Sequence, residues 1–144
     1  MVLSELCTNV LLHSGDTSGT ILIQKCPLSS DPNVSCVRVA VSDLGYGIKE
    51  TLSRKHPHLD KPAKAIEAAF NGVSSRESER SALGLRSVAR WAEERGGHIW
   101  IRSENAALLH NLQSHELISN LCYVPGTQVA VEFRVPVEDE TDLS

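Results

Sequence analysis

The fold is decided by residues 37–48, which have the sequence V-R-V-A-V-S-D-L-G-Y-G-I. Valine recurs at every second position at its start, which predicts a strand over Val37–Ser42 with one covered face. Asp43 follows the strand directly, and Gly45 and Gly47 come just after it. A carboxylate at a strand end can accept a hydrogen bond from an exocyclic amine, and glycines let the backbone approach a flat ligand. The stretch indicates a binding site, although D-x-G-x-G alone is also compatible with a glycine-rich turn.

Periodicity predicts the elements on either side of this stretch. We expect helices at Val2–His13, at Ala63–Phe70 and from Leu85 to a stop at Gly96-Gly97, and further strands at Thr20–Gln24, Ile99–Ile101 and Val129–Val135. We expect a hairpin-type loop at Pro27–Asn33 and little regular structure over Asp43–Pro62, and we leave Ala106–Tyr123 ambiguous, since its apolar residues fit a helix only loosely. Helices grouped on one face of a mixed, mostly antiparallel sheet make a two-layer α+β sandwich.

Size and composition predict one globular domain. The chain has 144 residues, of which 41% are hydrophobic and 22% charged, and we place the domain at residues 1–137, with an acidic flexible tail at 138–144. The net charge of −4 argues against nucleic acid as a partner, because no excess of positive charge can release counterions. No apolar run could span a membrane and no signal peptide begins the sequence, so we expect a cytoplasmic protein. Four scattered cysteines are predicted to be buried thiols.

The predicted first helix carries three polar residues on one face. Glu5, Asn9 and His13 are spaced four apart and project the same way. A carboxylate beside an amide oxygen suits Mg²⁺, and a carboxylate that faces a cleft can act as a general base. The alternative is the solvated polar stripe that amphipathic helices ordinarily have.

A third candidate ligand site lies at the start of the strongest predicted helix, where residues 81–85 have the sequence S-A-L-G-L. Free N–H groups and the helix dipole attract phosphate there. The alternative is a plain helix start with Ser81 as the N-cap. The polar stretch before it buries little apolar surface, so we expect Thr51–Ser81 to be mobile until a ligand orders it.

The order of these motifs resembles the GHKL ATPase superfamily, which includes gyrase-type, mismatch-repair and chaperone ATPases, sensor histidine kinases and anti-sigma-factor serine kinases. The resemblance extends from Leu3 to Pro136. Ser4–Ser14 is most similar to the anti-sigma serine kinases, and Leu83–Ser103 is more similar to the histidine-kinase catalytic domain.

This resemblance implies a Bergerat-type fold with ATP and Mg²⁺ as cofactors. By resemblance, Glu5 would orient or deprotonate the attacking water or hydroxyl, and Asn9 would hold Mg²⁺ and contact the nucleotide. Asp43 would accept a hydrogen bond from the adenine amine, and Thr127 would support it through water. The other implied nucleotide contacts are His13, Gly45, Gly47, Ile48, Leu83, Gly84 and Leu85, with Gly45 and Gly47 starting the ATP lid and Gly84 and Leu85 closing it.

The sequence departs from the family pattern at two places. Arg80 and Ala82 stand where the lid box has glycines, which affects the lid more than adenine binding. The strand and helix that commonly precede the first helix are missing, so we expect a piece of a longer protein or a domain completed by a partner chain.

Two functions follow from the resemblance. The first is an ATP-binding domain that supports Mg²⁺-dependent ATP hydrolysis or phosphoryl transfer to a protein in signalling, hence an ATPase or a protein kinase. The second is a non-catalytic nucleotide-sensing module with an ATP-gated lid that a protein partner recognises. A protein substrate or regulatory partner is expected in both cases, and we allow for a homodimer.

Overall fold

A computed structural model describes Ser4, Leu6, Cys7, Gly15 and residues 18–73 and 84–137. Its centre is one six-stranded sheet. The strands are β1 Thr20–Leu28, β2 Asp31–Ser42, β3 His98–Glu104, β4 Ala106–Asn111, β5 His115–Ile118 and β6 Val124–Pro136. Their order is β1-β2-β6-β3-β4-β5, and each of these neighbouring pairs is antiparallel.

Three helices lie within residues 18–73 and 84–137: α1 Ile48–Ser53, α2 Pro62–Phe70 and α3 Gly84–Glu93. The longer two pack against the sheet, α2 on β3 and β4 and α3 on β3 and β6. Ser4, Leu6 and Cys7 are also helical. The predicted α+β sandwich is thereby confirmed, as are the helices predicted at Ala63–Phe70 and after Leu85.

The core lies between the helices and the sheet in rows that cross three central strands. Val39, Val131 and Ile99 are paired across β2, β6 and β3, and all three are buried. The next row is Val41, Val129 and Ile101, also buried on the same face. Leu6, Ile66, Phe70, Val88, Ala89 and Ala92 pack onto these rows from the helical side. The alternating β-branched residues seen in the sequence therefore form the sheet side of the core.

The ambiguous stretch Ala106–Tyr123 is not helical where its leucines suggested a loose helical spacing. The chain forms β4 and β5, which pair as a hairpin from Ala107↔Ile118 to His110↔His115. Asn111 determines the turn, because its Oδ1 accepts hydrogen bonds at 2.8 Å from the backbone N–H groups of Gln113 and Ser114. Two short strands joined by such a turn can reproduce a helix-like spacing of leucines by chance.

The predicted hairpin-type loop at Pro27–Asn33 is shorter than the sequence indicated. Only residues 29–30 form the turn, because β1 continues to Leu28 and β2 begins at Asp31. Pro27 is tolerated because β1 lies at an edge of the described sheet and its register shifts between Pro27 and Leu28.

The expectation of little regular structure over Asp43–Pro62 is wrong, because α1 lies within it, whereas mobility of Thr51–Ser81 without a ligand stays a prediction. Leu52, Leu59 and Ala65 are buried together in a second, smaller cluster that joins α1 to α2. The backbone between the helices is also held, since the N–H of His56 donates to Leu52 O and that of Leu59 donates to His56 O, each at 2.9 Å. Residues 74–81, like the acidic tail at 138–144, lie outside the described residues.

The four cysteines are free thiols with different exposure. Cys36 is buried as predicted, Cys7 and Cys26 are half-buried, and Cys122 is exposed, so burial of all four is wrong. Over the described part of the chain, no helix has the length and apolar character needed to cross a membrane.

Candidate functional site

The candidate site is the third row across the sheet, where the apolar rows give way to polar side chains. Thr127 is paired with Ser103 across β6 and β3. Asp43 lies opposite Thr127, because its backbone N–H donates to Thr127 O at 3.0 Å. These three positions continue the buried alternation of Val41, Val129 and Ile101. The polar row therefore lies at the end of the core, on the face that the helices cover.

Asp43 is buried, with 5% of its surface exposed, and its carboxylate has a fixed orientation. Its Oδ1 accepts hydrogen bonds from the backbone N–H of Gly45 at 3.0 Å and from that of Thr127 at 3.3 Å. One bond ties the carboxylate to the turn that follows β2 and the other ties it to β6. Such a carboxylate can accept from a ligand without first being ordered.

Gly126 makes this position of Asp43 possible. Its φ is +77°, and a Cβ built on it would lie 2.1 Å from the backbone oxygen of Asp43 and 2.6 Å from its Oδ1. A side chain at residue 126 would therefore displace the carboxylate. In the sequence, Pro125-Gly126 looks like an ordinary turn. In the structure, the missing Cβ of Gly126 leaves the space that Asp43 occupies.

Gly47 and Ile48 connect the site to α1. Gly47 is the N-cap residue, and the N–H of Ile48 donates to Ser103 Oγ at 2.8 Å. A Cβ on Gly47 would lie 2.7 Å from Glu104 Cγ and 3.0 Å from Ser103 Oγ. The second glycine of D-x-G-x-G thus permits α1 to begin directly against β3.

Ser103 is the residue of the site that the sequence analysis missed. It is fully buried, and its Oγ donates to Gly126 O at 3.1 Å and lies 3.4 Å from Thr127 Oγ1. The sequence contains a signal for it, since Ser103 occupies the position after Ile99 and Ile101 at which alternation places another core residue. A small polar residue at a core position has hydrogen-bond partners as a rule.

The structure thus brings together five predicted site residues: Asp43, Gly45, Gly47, Ile48 and Thr127. Gly84 and Leu85 lie in the first turn of α3, where Gly84 is buried and Leu85 half-buried. Glu5, Asn9, His13 and Leu83 lie outside the described residues. Leu6, which follows Glu5 in the sequence, is buried in the main core.

Within the described residues, no group of three or more His, Cys, Asp or Glu side chains could hold a metal ion. The residue predicted to bind Mg²⁺, Asn9, lies outside them. The described part of the site fits the other implied ligand better. A buried carboxylate held by two backbone N–H groups suits a ligand that donates a hydrogen bond.

Comparison with known families agrees with this geometry. The chain matches the family model described as histidine kinase-, DNA gyrase B- and HSP90-like ATPase over residues 1–139. The chain belongs to this family. No individual curated protein matches it significantly. The resemblance to the GHKL superfamily is thereby confirmed, and the chain is an ATP-binding, ATPase-like domain of that superfamily.

Proposed function

We propose that this GHKL domain binds ATP with the adenine amine on Asp43 and supports Mg²⁺-dependent ATP hydrolysis or phosphoryl transfer to a protein. The observation that carries the proposal is the buried Asp43 carboxylate, whose Oδ1 is held by the N–H groups of Gly45 and Thr127. A fixed acceptor at the end of a sheet recognises a donor on the ligand, and the adenine amine is such a donor.

The base site would be completed by the residues around Asp43. Thr127 would contact the amine through water, and Gly45, Gly47 and Ile48 would let the backbone lie against the ring. The phosphates would meet Leu83, Gly84 and Leu85, because free N–H groups at the start of α3 can donate to phosphate oxygens. His13 would complete the nucleotide contacts from the first predicted helix.

The chemistry requires few groups from the protein, because phosphoryl transfer depends mainly on positioning and charge neutralisation. Glu5 would accept the proton of the attacking water or hydroxyl. The amide oxygen of Asn9 would hold Mg²⁺, which neutralises charge on the phosphates when bound. Both roles rest on the match of S-E-L-C-T-N, residues 4–9, to the family pattern.

A second candidate function is nucleotide sensing without turnover. Arg80 and Ala82 replace glycines of the family's lid box, and a stiffer lid favours binding over catalysis. A protein partner would then recognise the ATP-bound form. In both cases we place the domain in cytoplasmic signalling.

A protein contact, including a homodimer, is supported by β1. This strand is one of the two edge strands of the described sheet, and Ile21, Leu22 and Ile23 on it are each more than half exposed.

ATP binding is tested by Asp43→Asn, with Asp31→Asn as the matched control. Asp31 also accepts a backbone N–H, that of Asn33 at 2.9 Å, but lies at the far end of β2. Isothermal titration should show ATP affinity lowered about five- to a hundredfold in Asp43→Asn, as expected for roughly 1–3 kcal/mol, and unchanged in Asp31→Asn. GTP should bind the wild type much more weakly than ATP. Equal affinities for ATP and GTP would contradict the assignment of Asp43.

The choice between the two functions is tested by Glu5→Ala in a turnover assay. Hydrolysis that is lost while ATP affinity is kept supports the enzyme, since the carboxylate then acts in the reaction and not in binding. If the wild type binds ATP but does not hydrolyse it, the nucleotide-sensing function is supported instead.

A further inference from the structure

Two of the four free thiols face each other across neighbouring strands. Cys26 on β1 and Cys36 on β2 are direct register partners in an antiparallel pair. Residues directly opposite on such strands point to the same face of the sheet. Because Cys36 alternates with Val37 and Val39, which pack into the main core, both thiols lie on the face away from the core.

The spacing of the two strands suits a disulfide bond. Direct partners on antiparallel strands have Cα atoms about 4.5–5.5 Å apart, and disulfides join cysteines whose Cα atoms are about 4.4–6.8 Å apart. The Cβ atoms of such partners, about 4.5–5.5 Å apart, must approach to about 3.5–4.5 Å. β1 can supply this movement, because it is an edge strand whose register already shifts between Pro27 and Leu28, next to Cys26.

The two thiols are not equivalent. Cys36 has 9% of its surface exposed, and its thiol bonds to Glu132 on β6. Burial and then this bond raise the pKa of Cys36, and the neighbouring Cys26 adds a smaller increase, which requires the two thiols to be close together. Cys26 is half-buried on the edge strand, so an oxidant in solution reaches it before it reaches Cys36.

The other two cysteines are placed differently. Cys7 packs against the main core from the helical side, so the sheet lies between it and the pair. Cys122 is exposed and lies between β5 and β6. Cys122 is therefore a natural control, since it is more accessible than either member of the pair but belongs to a different part of the sheet.

We propose that Cys26 and Cys36 form an oxidisable dithiol, a modification site at which a hydroperoxide closes a reversible disulfide between β1 and β2. The Cys26 sulfur attacks the peroxide, so that the O–O bond breaks, an S–O bond forms, and the leaving oxygen takes the Cys26 proton as water or an alcohol. The Cys36 sulfur then displaces the hydroxyl of this sulfenic acid, which leaves as water with the Cys36 proton. Two electrons pass from the two thiols to the peroxide, and a dithiol reductant returns them.

The disulfide changes the edge of the sheet and not the nucleotide site. It ties β1 to β2 and ends the bond from Cys36 to Glu132, which keeps its pair with Arg38. Asp43 follows the opposite end of β2, so ATP affinity should be the same in the reduced and oxidised protein. The proposal is therefore independent of the proposed function. In a compartment rich in thiol reductants such a bond is transient, as is typical of redox sensing.

The test is hydrogen peroxide treatment of the folded protein, followed by labelling of free thiols with N-ethylmaleimide in denaturant and by mass spectrometry. Trypsin cuts after Lys25 and after Arg38, so the peptide of residues 26–38 carries both cysteines of the pair and neither of the others. A disulfide lowers the mass of this peptide by two hydrogens and prevents its labelling. An Asp-specific protease then cuts before Asp31, and the two halves stay together until a reductant separates them.

The proteins compared are the wild type, Cys26→Ser and Cys122→Ser. The wild type and Cys122→Ser should both yield the linked peptide, and dithiothreitol should return it to two free thiols. In Cys26→Ser, Cys36 should remain a thiol that maleimide labels, because the peroxide does not reach it. Hydrogen exchange over β1 should slow about two- to tenfold in the oxidised wild type, since the edge strand is then tied to its neighbour.

Two results would overturn the proposal. One is a peptide of residues 26–38 that keeps both thiols at a peroxide dose that oxidises Cys122. The other is oxidation of Cys26 to sulfinic or sulfonic acid while Cys36 stays a thiol, because the two sulfur atoms then do not meet in the folded protein. Both results are read from the wild type, so they are decisive even if Cys26→Ser does not fold.

Discussion

Gly126 and Gly96 have the same backbone conformation but different neighbours. Their φ angles are +77° and +65°, in the left-handed region that favours glycine. A Cβ on Gly96 would lie 3.4 Å from Cδ of Arg134, a flexible side chain, whereas one on Gly126 would lie within 3 Å of both Asp43 O and Asp43 Oδ1. Comparing substitutions at the two glycines therefore separates the cost of backbone strain from the effect of displacing Asp43.

We predict that Gly96→Ala lowers the free energy of unfolding by about 1–2 kcal/mol, the cost of a left-handed alanine, and leaves ATP affinity unchanged. Gly126→Ala should cost more, because Asp43 must also move, and it should weaken ATP binding. Urea unfolding and nucleotide titration measure the two effects. Equal losses of stability and unchanged ATP affinity in both variants would show that Asp43 does not depend on Gly126.

At this scale the sequence identified one half of the site. Asp43 could be singled out because it lies between a valine-rich strand and two glycines, and because the order of the motifs resembles the GHKL superfamily. Ser103 could not be assigned a role, because its partners come from the start of α1 and from β6. A hydroxyl has no recognisable pattern in sequence when its hydrogen bonds join distant segments.

At the scale of elements, β2 and β6 are joined by a polar cluster on the face away from the core. Arg38 pairs with Glu132 across the two strands, and the thiol of Cys36 also bonds to Glu132. Burial alone would raise the pKa of Glu132, but the bonds from Arg38 and Cys36 outweigh it, so that pKa is lowered. Burial, followed by the bond to Glu132, raises the pKa of the Cys36 thiol.

The lowered pKa makes Glu132 a source of acid sensitivity. A carboxyl group whose pKa is lower in the folded state stabilises the protein above its unfolded pKa, about 4.3 for glutamate, and loses that effect as pH falls through the folded pKa. We predict that Glu132→Gln loses less stability than the wild type between about pH 5 and pH 3. The difference should be below about 1 kcal/mol, because the pair is partly exposed.

Urea unfolding at a series of pH values measures this difference. Glu116→Gln is the control, since Glu116 is an exposed glutamate on β5. Its acid profile should follow the wild type. Identical profiles for Glu132→Gln and the wild type would mean that the Arg38–Glu132 pair does not stabilise the fold.

Strands and helices could be predicted where one buried face gives their apolar residues a regular spacing, as in β2, β6 and α3. The β4–β5 hairpin was not, because its stability comes from contacts remote in sequence. Its His110 and His115 have Nδ1 atoms 2.8 Å apart, so that one must donate and the other accept. Their Nε2 atoms lie 2.6 Å from Glu93 on α3 and 2.8 Å from Glu67 on α2. In the sequence these histidines had no evident partner.

At the scale of the whole molecule, the described apolar residues form two clusters of unequal size. The larger one fills the space between the sheet and the helices, and the smaller one consists of Leu52, Leu59 and Ala65 with their neighbours. Ile48 packs against both clusters, and its N–H donates to Ser103 in the candidate site. Ile48 therefore links the proposed base site to α1 and α2.

This division predicts that residues 48–61 open more readily than the central strands, because their buried residues Leu52 and Leu59 belong to the smaller cluster, whereas Ile66 and Phe70 of α2 belong to the larger one. Hydrogen exchange should show lower protection over α1 than over β2, β3 and β6. A non-hydrolysable ATP analogue should raise protection in α1, since the nucleotide would contact Gly47 and Ile48 at its start. Leu52→Ala should speed exchange over residues 48–61, because truncation of a buried leucine costs about 2–5 kcal/mol, and leave the central strands protected.

The contrasting control is Val131→Ala, because Val131 is buried in the middle of the larger cluster. It should speed exchange in the central strands, and in α1 and α2 as well, since Ile48 joins the smaller cluster to the larger one and Ile66 of α2 belongs to the larger one. The two clusters open separately if Leu52→Ala speeds exchange only around the smaller cluster while Val131→Ala speeds it around both. If Leu52→Ala accelerates exchange in β2, β3 and β6 as much as in α1, the domain unfolds as one unit. Nucleotide binding would then stabilise every element equally, instead of acting first on the helix that begins at the site.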